Sequence, residues 1–181
     1  QFGNGVSGTI GLDDPTVFNR TSVLNLGVAG GATAAGANAY GGTHVPDIVG
    51  NIRVDQAWGL FQISGMAHLV NASYNILGAG GVPTALSEIS GHPEDKWGGA
   101  VMAALQIKNL PTGAGDDFKI DVSYAKGDTK AVVSTSGGSP NFVMFGGSGN
   151  GAYQSIGFGQ TADAVYVPGG ELKLVDSWGV R

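Results

Sequence analysis

The sequence predicts an all-β chain, an antiparallel up-and-down β-barrel that crosses a membrane with its strands. Three observations predict this class. Gly accounts for 33 of the 181 residues, which disfavours helices because each interior Gly costs about 1 kcal/mol relative to Ala. Several segments alternate strictly between apolar and polar residues, the period of a strand with one dry face. The connections between these segments are alternately long and short, as they are in an up-and-down barrel.

Composition and charge exclude several other classes of protein. The net charge is −5 and the nine Lys and Arg residues never cluster, so no surface for nucleic acid is expected. Cys is absent, which excludes disulfides, thiolate metal sites and Cys nucleophiles. The sequence contains neither an apolar run of about 18 residues, as a spanning helix needs, nor the pattern of a signal peptide.

Six segments are predicted as strands because their apolar residues fall on one face. Each has roughly 8–12 residues, close to the ~9–11 residues of a tilted strand that crosses a bilayer. The segments are 6–13, 48–58, 60–70, 97–109, 118–125 and 171–178.

The connections between the predicted strands differ in length in a regular order. Those at 57–60 and 110–115 are short turns, whereas those at 14–46, 72–94 and 128–170 are long and rich in Gly, Ala and Ser. An outer-membrane barrel has short turns on its periplasmic side and long loops on its outer side. The order of connections therefore predicts a membrane barrel rather than a soluble sandwich.

Aromatic residues near the strand ends are predicted to form two belts at the membrane interfaces. Trp favours that depth because its ring is apolar and its N–H seeks water. Trp58, Phe61, Phe118 and Trp178 are assigned to the lower belt, and Trp97 to the upper one.

Closure of the sheet implies that more strands are needed. A sheet in lipid cannot leave its edge N–H and C=O groups unpaired, and bacterial barrels contain at least about eight strands. Residues 1–181 are therefore expected to be a partial barrel domain, incomplete at both ends and unable to fold alone. Its apolar face and open edges would aggregate in water.

Several strings resemble the porins of alphaproteobacteria, the general-diffusion porins of Rhizobiales and Brucella. The resemblance runs through 1–14, 45–59, 96–98, 127–128 and 171–178. Its specific parts are Pro-Asp-Ile-Val-Gly-Asn at 46–51 and Asp-Gln-Ala-Trp-Gly at 55–59.

The resemblance implies a 16-stranded, homotrimeric barrel in the bacterial outer membrane, in contact with its lipid. Such a barrel allows small hydrophilic solutes and ions to diffuse passively, without a cofactor and without catalysis. The segment that usually supplies the constriction loop is missing from the match, so no constriction residues are carried over.

A passive pore needs a solvent-exposed lining whose polar groups replace the water of hydration of the solute. The polar side of the alternating strands supplies such a lining. The predicted pore-lining residues are Asn51, Arg53, Asp55, Gln62, Ser64, His68, Gln106, Lys108, Lys119, Asp121, Ser123 and Lys173.

Catalytic and metal sites are not predicted. His44, His68 and His92 are not at the spacing of metal ligands such as HExxH. The glycine-rich run at 146–151 lacks the Lys-Ser/Thr pair of a phosphate-binding loop and is assigned to a long outer loop.

Two alternatives stay open. One is a soluble or surface-anchored Gly-rich β-sandwich or solenoid adhesin that binds glycans, in which apolar faces meet in a dry core. Phe61, Ile63, Val101, Leu105, Ile120 and Val122 would then pack against a second sheet. The other is a substrate-specific channel, which would differ at its constriction.

Overall fold

The dominant element of the chain is an open antiparallel sheet of six strands, called the large sheet below. The computed structural model describes residues 2–16, 20–29, 36–133, 141–145 and 156–181. The strands, in spatial order, are β1 (Val6–Asp13), β4 (Asp47–Gln56), β5 (Gly59–Val70), β6 (Lys96–Lys108), β7 (Asp117–Lys126) and β12 (Asp176–Val180). The predicted all-β antiparallel class is confirmed, and the barrel is not closed within this section.

The two short connections form hairpins, as predicted. Only Ala57 and Trp58 separate β4 from β5, and residues 109–116 connect β6 to β7. Gly59 is required at the first hairpin because a Cβ atom there would lie 2.0 Å from the carbonyl oxygen of Gln106 on β6. Both hairpins therefore lie at the same end of the large sheet, called the turn end.

The prediction of one continuous sixth strand over 171–178 is wrong, because the chain changes sheets at Val175. The N–H of Val175 donates to the carbonyl of Asp163, whereas its own carbonyl accepts from Gly127 beside β7. Lys173 consequently belongs to a second sheet, and only Asp176–Val180 joins the large one.

The second sheet, called the small sheet, is built from two of the predicted long connections and from the first part of the predicted sixth strand. Its order is β11 (Lys173–Leu174), β10 (Ala162–Tyr166), β2 (Ser22–Asn25) and β3 (Ala37–Asn38), and its β10–β2 pair is parallel. Elsewhere in these connections, β8 (Asn141–Phe145) pairs with β9 (Ile156–Gln160). A short helix α1 (Ser87–Ser90) and two 3₁₀ turns (Ala79–Gly81 and Thr129–Ala131) complete the elements.

The hydrophobic core lies between the small sheet and one end of the large sheet. Val70 of β5 packs there with Val23 of β2 and with Leu172, all of them buried. Val70 lies on the same face of β5 as Gln62, Ser64 and His68, since side chains alternate along a strand. The small sheet therefore covers the polar face of the large sheet, at the end opposite the two hairpins, called the loop end.

Parts of two predicted long connections lie outside the described residues. They are 17–19 and 30–35 in the connection 14–46, and 134–140 and 146–155 in the connection 128–170. The glycine-rich run at 146–151 falls within the last of these ranges.

Candidate pore wall

The register of the large sheet separates its side chains into an apolar face and a polar face. Ile52 of β4 pairs with Ile63 of β5, which pairs with Ala103 of β6 and then, across to β7, with Val122. The apolar face is open to the surroundings, since no second sheet covers it among the described residues. Its exposed large side chains are Ile10, Leu12, Ile48, Ile52, Phe61, Ile63, Trp97, Val101, Ile107, Phe118, Val122, Tyr124, Trp178 and Val180.

Eleven of the twelve predicted pore-lining residues lie on the polar face. They are Asn51, Arg53, Asp55, Gln62, Ser64, His68, Gln106, Lys108, Lys119, Asp121 and Ser123. Lys173 is the exception because it lies in the small sheet. His68 and Ser123 are on the polar face but buried beneath the small sheet and its connections, so they are not open to solvent in this structure.

The aromatic residues predicted as belts are all exposed on or near the apolar face. Phe61 and Phe118 lie near the turn end beside Trp58, whereas Trp97 lies at the loop end. Trp178 is separated from the first group: it pairs with Tyr124, six residues beyond Phe118 along β7, or about 20 Å at the rise of a strand.

Charged side chains concentrate on the polar face near the turn end. One carboxylate oxygen of Asp55 lies 2.9 Å from the guanidinium of Arg53, and the other lies 3.0 Å from Nζ of Lys108 on β6. Two further pairs extend this charged band across β7 and the residue after β12. They are Lys119 with Asp117 at 3.0 Å and Arg181 with Asp121 at 3.2 Å.

The charged band contributes little to stability, because water and salt screen ion pairs between exposed side chains. The charged band matters instead because it places positive and negative groups side by side on the polar face. Four cationic groups alternate with three carboxylates along one surface, so a solute at this surface meets donors and acceptors within a few ångströms.

The middle of the polar face is a shallow hollow with a less polar lining. Val49, Met66 and Met102 line it together with Asn51 and Ser64, around a volume of about 260 Å³. The sequence pattern did not predict this hollow, because Val49 and Met66 are apolar residues at positions where the alternation calls for polar ones.

A buried acid cluster lies at the loop end, where the small sheet meets the large one. It consists of Asp47 on β4, His68 on β5, Asp128 after β7 and Asp163 on β10, each at most 1% exposed. Nδ1 of His68 lies 2.7 Å from Oδ1 of Asp47. Asp163 accepts hydrogen bonds from the backbone N–H groups of Thr21 and Thr129, at 2.5 and 2.9 Å.

Burial and neighbouring charge alter the acidity of this cluster. Burial raises the pKa of Asp128 to about 7, with further contributions from the like charges of Asp163 and Asp47, against the opposing effect of His68. Burial also raises the pKa of Asp163, although its hydrogen bonds from Thr21 and Thr129 oppose that shift. Sequence reasoning did not predict that Asp47, Asp128 and Asp163 form a buried cluster. Asp47 and Asp128 nevertheless lie within the strings that carry the porin resemblance.

Neither a metal centre nor a spanning helix is found in the part of the chain that the structure describes. There, no three His, Cys, Asp or Glu side chains are grouped so that they could hold a metal ion. No described helix has the length and apolar character to cross a membrane.

Comparison with known proteins gives one finding about family. A family model described as a porin subfamily matches residues 1–172. Neither the curated proteins nor the solved structures gave a match to this chain.

Proposed function

This chain belongs to the porin family, and from that premise we propose that its large sheet forms part of the wall of a water-filled outer-membrane pore. Small hydrophilic solutes and ions would diffuse through this pore passively. Porins are channel proteins, so the polar face is assigned to contact with solutes rather than to catalysis. The narrower affiliation with alphaproteobacterial porins stays a prediction.

The observation that carries the proposal is the opposite character of the two faces of one sheet. Ile10 is 82% exposed and Ile52 is 61% exposed on the apolar face, while the charged band occupies the other. Exposing a continuous apolar face to water is unfavourable by about 25 cal/mol per Å². In hydrocarbon that cost disappears, which is why the apolar face is assigned to lipid and the polar face to water.

The adhesin alternative needs the apolar face to pack against a second sheet. The small sheet packs against the polar face instead, and Phe61, Ile63, Val101 and Val122 remain exposed. The arrangement of the two sheets therefore favours the pore over the adhesin.

A barrel of this kind requires partners for the free edges of β1 and β12. Within the described residues each of these strands pairs on one side only. Because lipid offers no hydrogen bonds to unpaired backbone groups, further strands must pair with both edges. We assign 16 strands in total and a homotrimer, as the porin resemblance implies.

Conductance of the complete protein tests the pore. Purified protein inserted into planar bilayers should give stepwise, ohmic currents, and vesicles containing it should swell in small sugars but not in large ones. Heat-denatured protein serves as the control. Correctly inserted trimers that pass no current would refute the proposal.

Labelling of single cysteines tests which face is wet, and the absence of native Cys makes the labelling specific. Asn51→Cys on the polar face should react with a charged, membrane-impermeant maleimide. Ile52→Cys, its neighbour on the apolar face, should resist that reagent and react with a lipid-soluble one. The reverse pattern would assign the apolar face to water, and protection of Ile52→Cys from both reagents would assign it to a protein interior; either result would contradict the proposal.

A further inference from the structure

The small sheet is joined to the large sheet through the buried acid cluster. Asp163 of β10 holds the N–H groups of Thr21 and Thr129, and the hydroxyl of Thr129 donates to the carbonyl of Ala162 at 2.6 Å. At the same joint, Val175 bonds to both Asp163 and Gly127 through its backbone. The residues that anchor the small sheet are thus the immediate neighbours of Asp128.

The side chain of Asp128 lies in this joint with no hydrogen bond of ordinary geometry, and the nearby backbone N–H of Ala131 has the smallest of the effects on its pKa. It is fully buried, and within the described residues neither of its carboxylate oxygens has a hydrogen-bond partner. A buried ionised carboxylate without partners is unfavourable, so the neutral form is preferred.

Each element that packs against Asp128 places a titratable or charged side chain near it. Asp47 faces it from β4 and Asp163 from β10, both with the same charge. His68 faces it from β5, but its Nδ1 is already engaged by Asp47. Lys130 is buried on the same 3₁₀ turn. Ionisation of Asp128 therefore adds a second negative charge beside Asp163, at the contact between the two sheets.

We propose that Asp128 and Asp163 form a proton-controlled joint between the small sheet and the pore wall. When Asp128 carries its proton, the small sheet is seated on the polar face and narrows the lumen. When Asp128 loses its proton, repulsion from Asp163 and the cost of burying a free carboxylate loosen the joint and widen the lumen. The inference rests on the proposed pore function, because it assigns the regulation of that same pore.

The pH range follows from the acidity of the cluster. With a pKa of about 7, Asp128 is mostly protonated at pH 6 and mostly ionised at pH 8. Between about pH 4 and pH 7 the folded joint holds a proton that the unfolded segment, with an ordinary Asp, has already lost. The joint is therefore most stable in acid, weakens as the pH rises towards 7, and changes no further once Asp128 is fully ionised.

Single-channel recording on the complete protein between pH 5.5 and 8.5 tests the joint. Conductance should rise as the pH passes about 7. Asp128→Asn keeps the shape and removes the charge, so it should hold the low-conductance state at every pH. Asp116→Asn, an exposed carboxyl in the β6–β7 hairpin, is the matched control and should retain the pH dependence of the unmodified protein.

Hydrogen exchange of the small-sheet amides gives a readout that needs neither conduction nor a variant. After correction for intrinsic chemistry, opening of β10 should increase by up to about tenfold per pH unit as the pH rises towards 7, and should level off above it. Currents and β10 exchange that both stay constant from pH 6 to 8.5 would overturn the joint and leave the pore intact. Inserted protein without current at any pH would instead refute the pore, and exchange would then decide on the joint alone.

Discussion

The carboxylate of Asp163 accepts a hydrogen bond of 2.9 Å from the backbone N–H of Thr129, which connects the small sheet to the end of β7. The same carboxylate accepts from Thr21, 142 positions away in the chain. One side chain thus connects three segments that the sequence separates widely.

Replacing Asp163 with Ala should destabilise the small sheet selectively. The change leaves the N–H groups of Thr21 and Thr129 without their acceptor, at about 1–3 kcal/mol for each buried group. Hydrogen exchange at these two amides should accelerate, while amides in the middle of β5 and β6 keep their protection. Thr21 and Thr129 donate to different oxygens of Asp163, so Asp163→Asn keeps an acceptor for only one of them and should leave one of the two amides protected. Equal acceleration of both amides in both variants would contradict this account.

A charged side chain in place of Ile63, on the apolar face, should destabilise the protein. In a bilayer, Ile63→Arg should lower the free energy of unfolding by about 2–4 kcal/mol, the cost of an Arg on the lipid side near the midplane. Ser64→Arg is the matched control, because the adjacent residue faces the polar side at the same depth. Unfolding by denaturant from lipid vesicles measures both; similar losses in the two variants would argue against lipid contact.

Gly99 should tolerate no side chain. A Cβ atom at this position would lie 2.2 Å from the carbonyl oxygen of Met66 on β5, so Gly99→Ala forces β5 and β6 apart. The expected cost is about 1–3 kcal/mol, typical of an overpacked site. Gly65→Ala offers a control on the same face, since its nearest atom would be 3.8 Å away. A thermal unfolding midpoint equally lowered in both variants would show that steric contact is not the cause.

The sequence predicted the strands whose two faces meet different surroundings. In β5, Phe61 and Ile63 are exposed on one side while Gln62 and Ser64 line the other, so the period of two is visible in the residues themselves. The hairpins could be predicted equally well, because a connection of only two residues, 57–58, can join two strands only by a tight antiparallel turn.

The small sheet could not be predicted by the same reasoning. All four residues of β2, from Ser22 to Asn25, are buried, so the strand has no alternation to detect. At 171–178 the alternation is genuine, yet it does not reveal that Val175 passes the chain from one sheet to the other. The buried acid cluster likewise arises only from folding, since Asp47 and Asp163 are far apart in sequence.

The charged band should set the ion preference of the pore. Lys108→Gln removes one cation and leaves Asp55 paired with Arg53 alone, so the local charge becomes more negative. Charge on a pore wall controls which ions accumulate there. In a salt gradient across a planar bilayer, the cation-to-anion permeability ratio should rise, on the order of twofold given screening by salt.

Lys126→Gln makes the same change in total charge on the other side of the sheet. Lys126 shares the apolar face with Tyr124 and Val122, so its charge is separated from the lumen by the sheet. The reversal potential of this variant should match that of the unmodified protein. If both lysines shifted the potential equally, the effect would depend on net charge alone, and the assignment of the polar face to the lumen would fail.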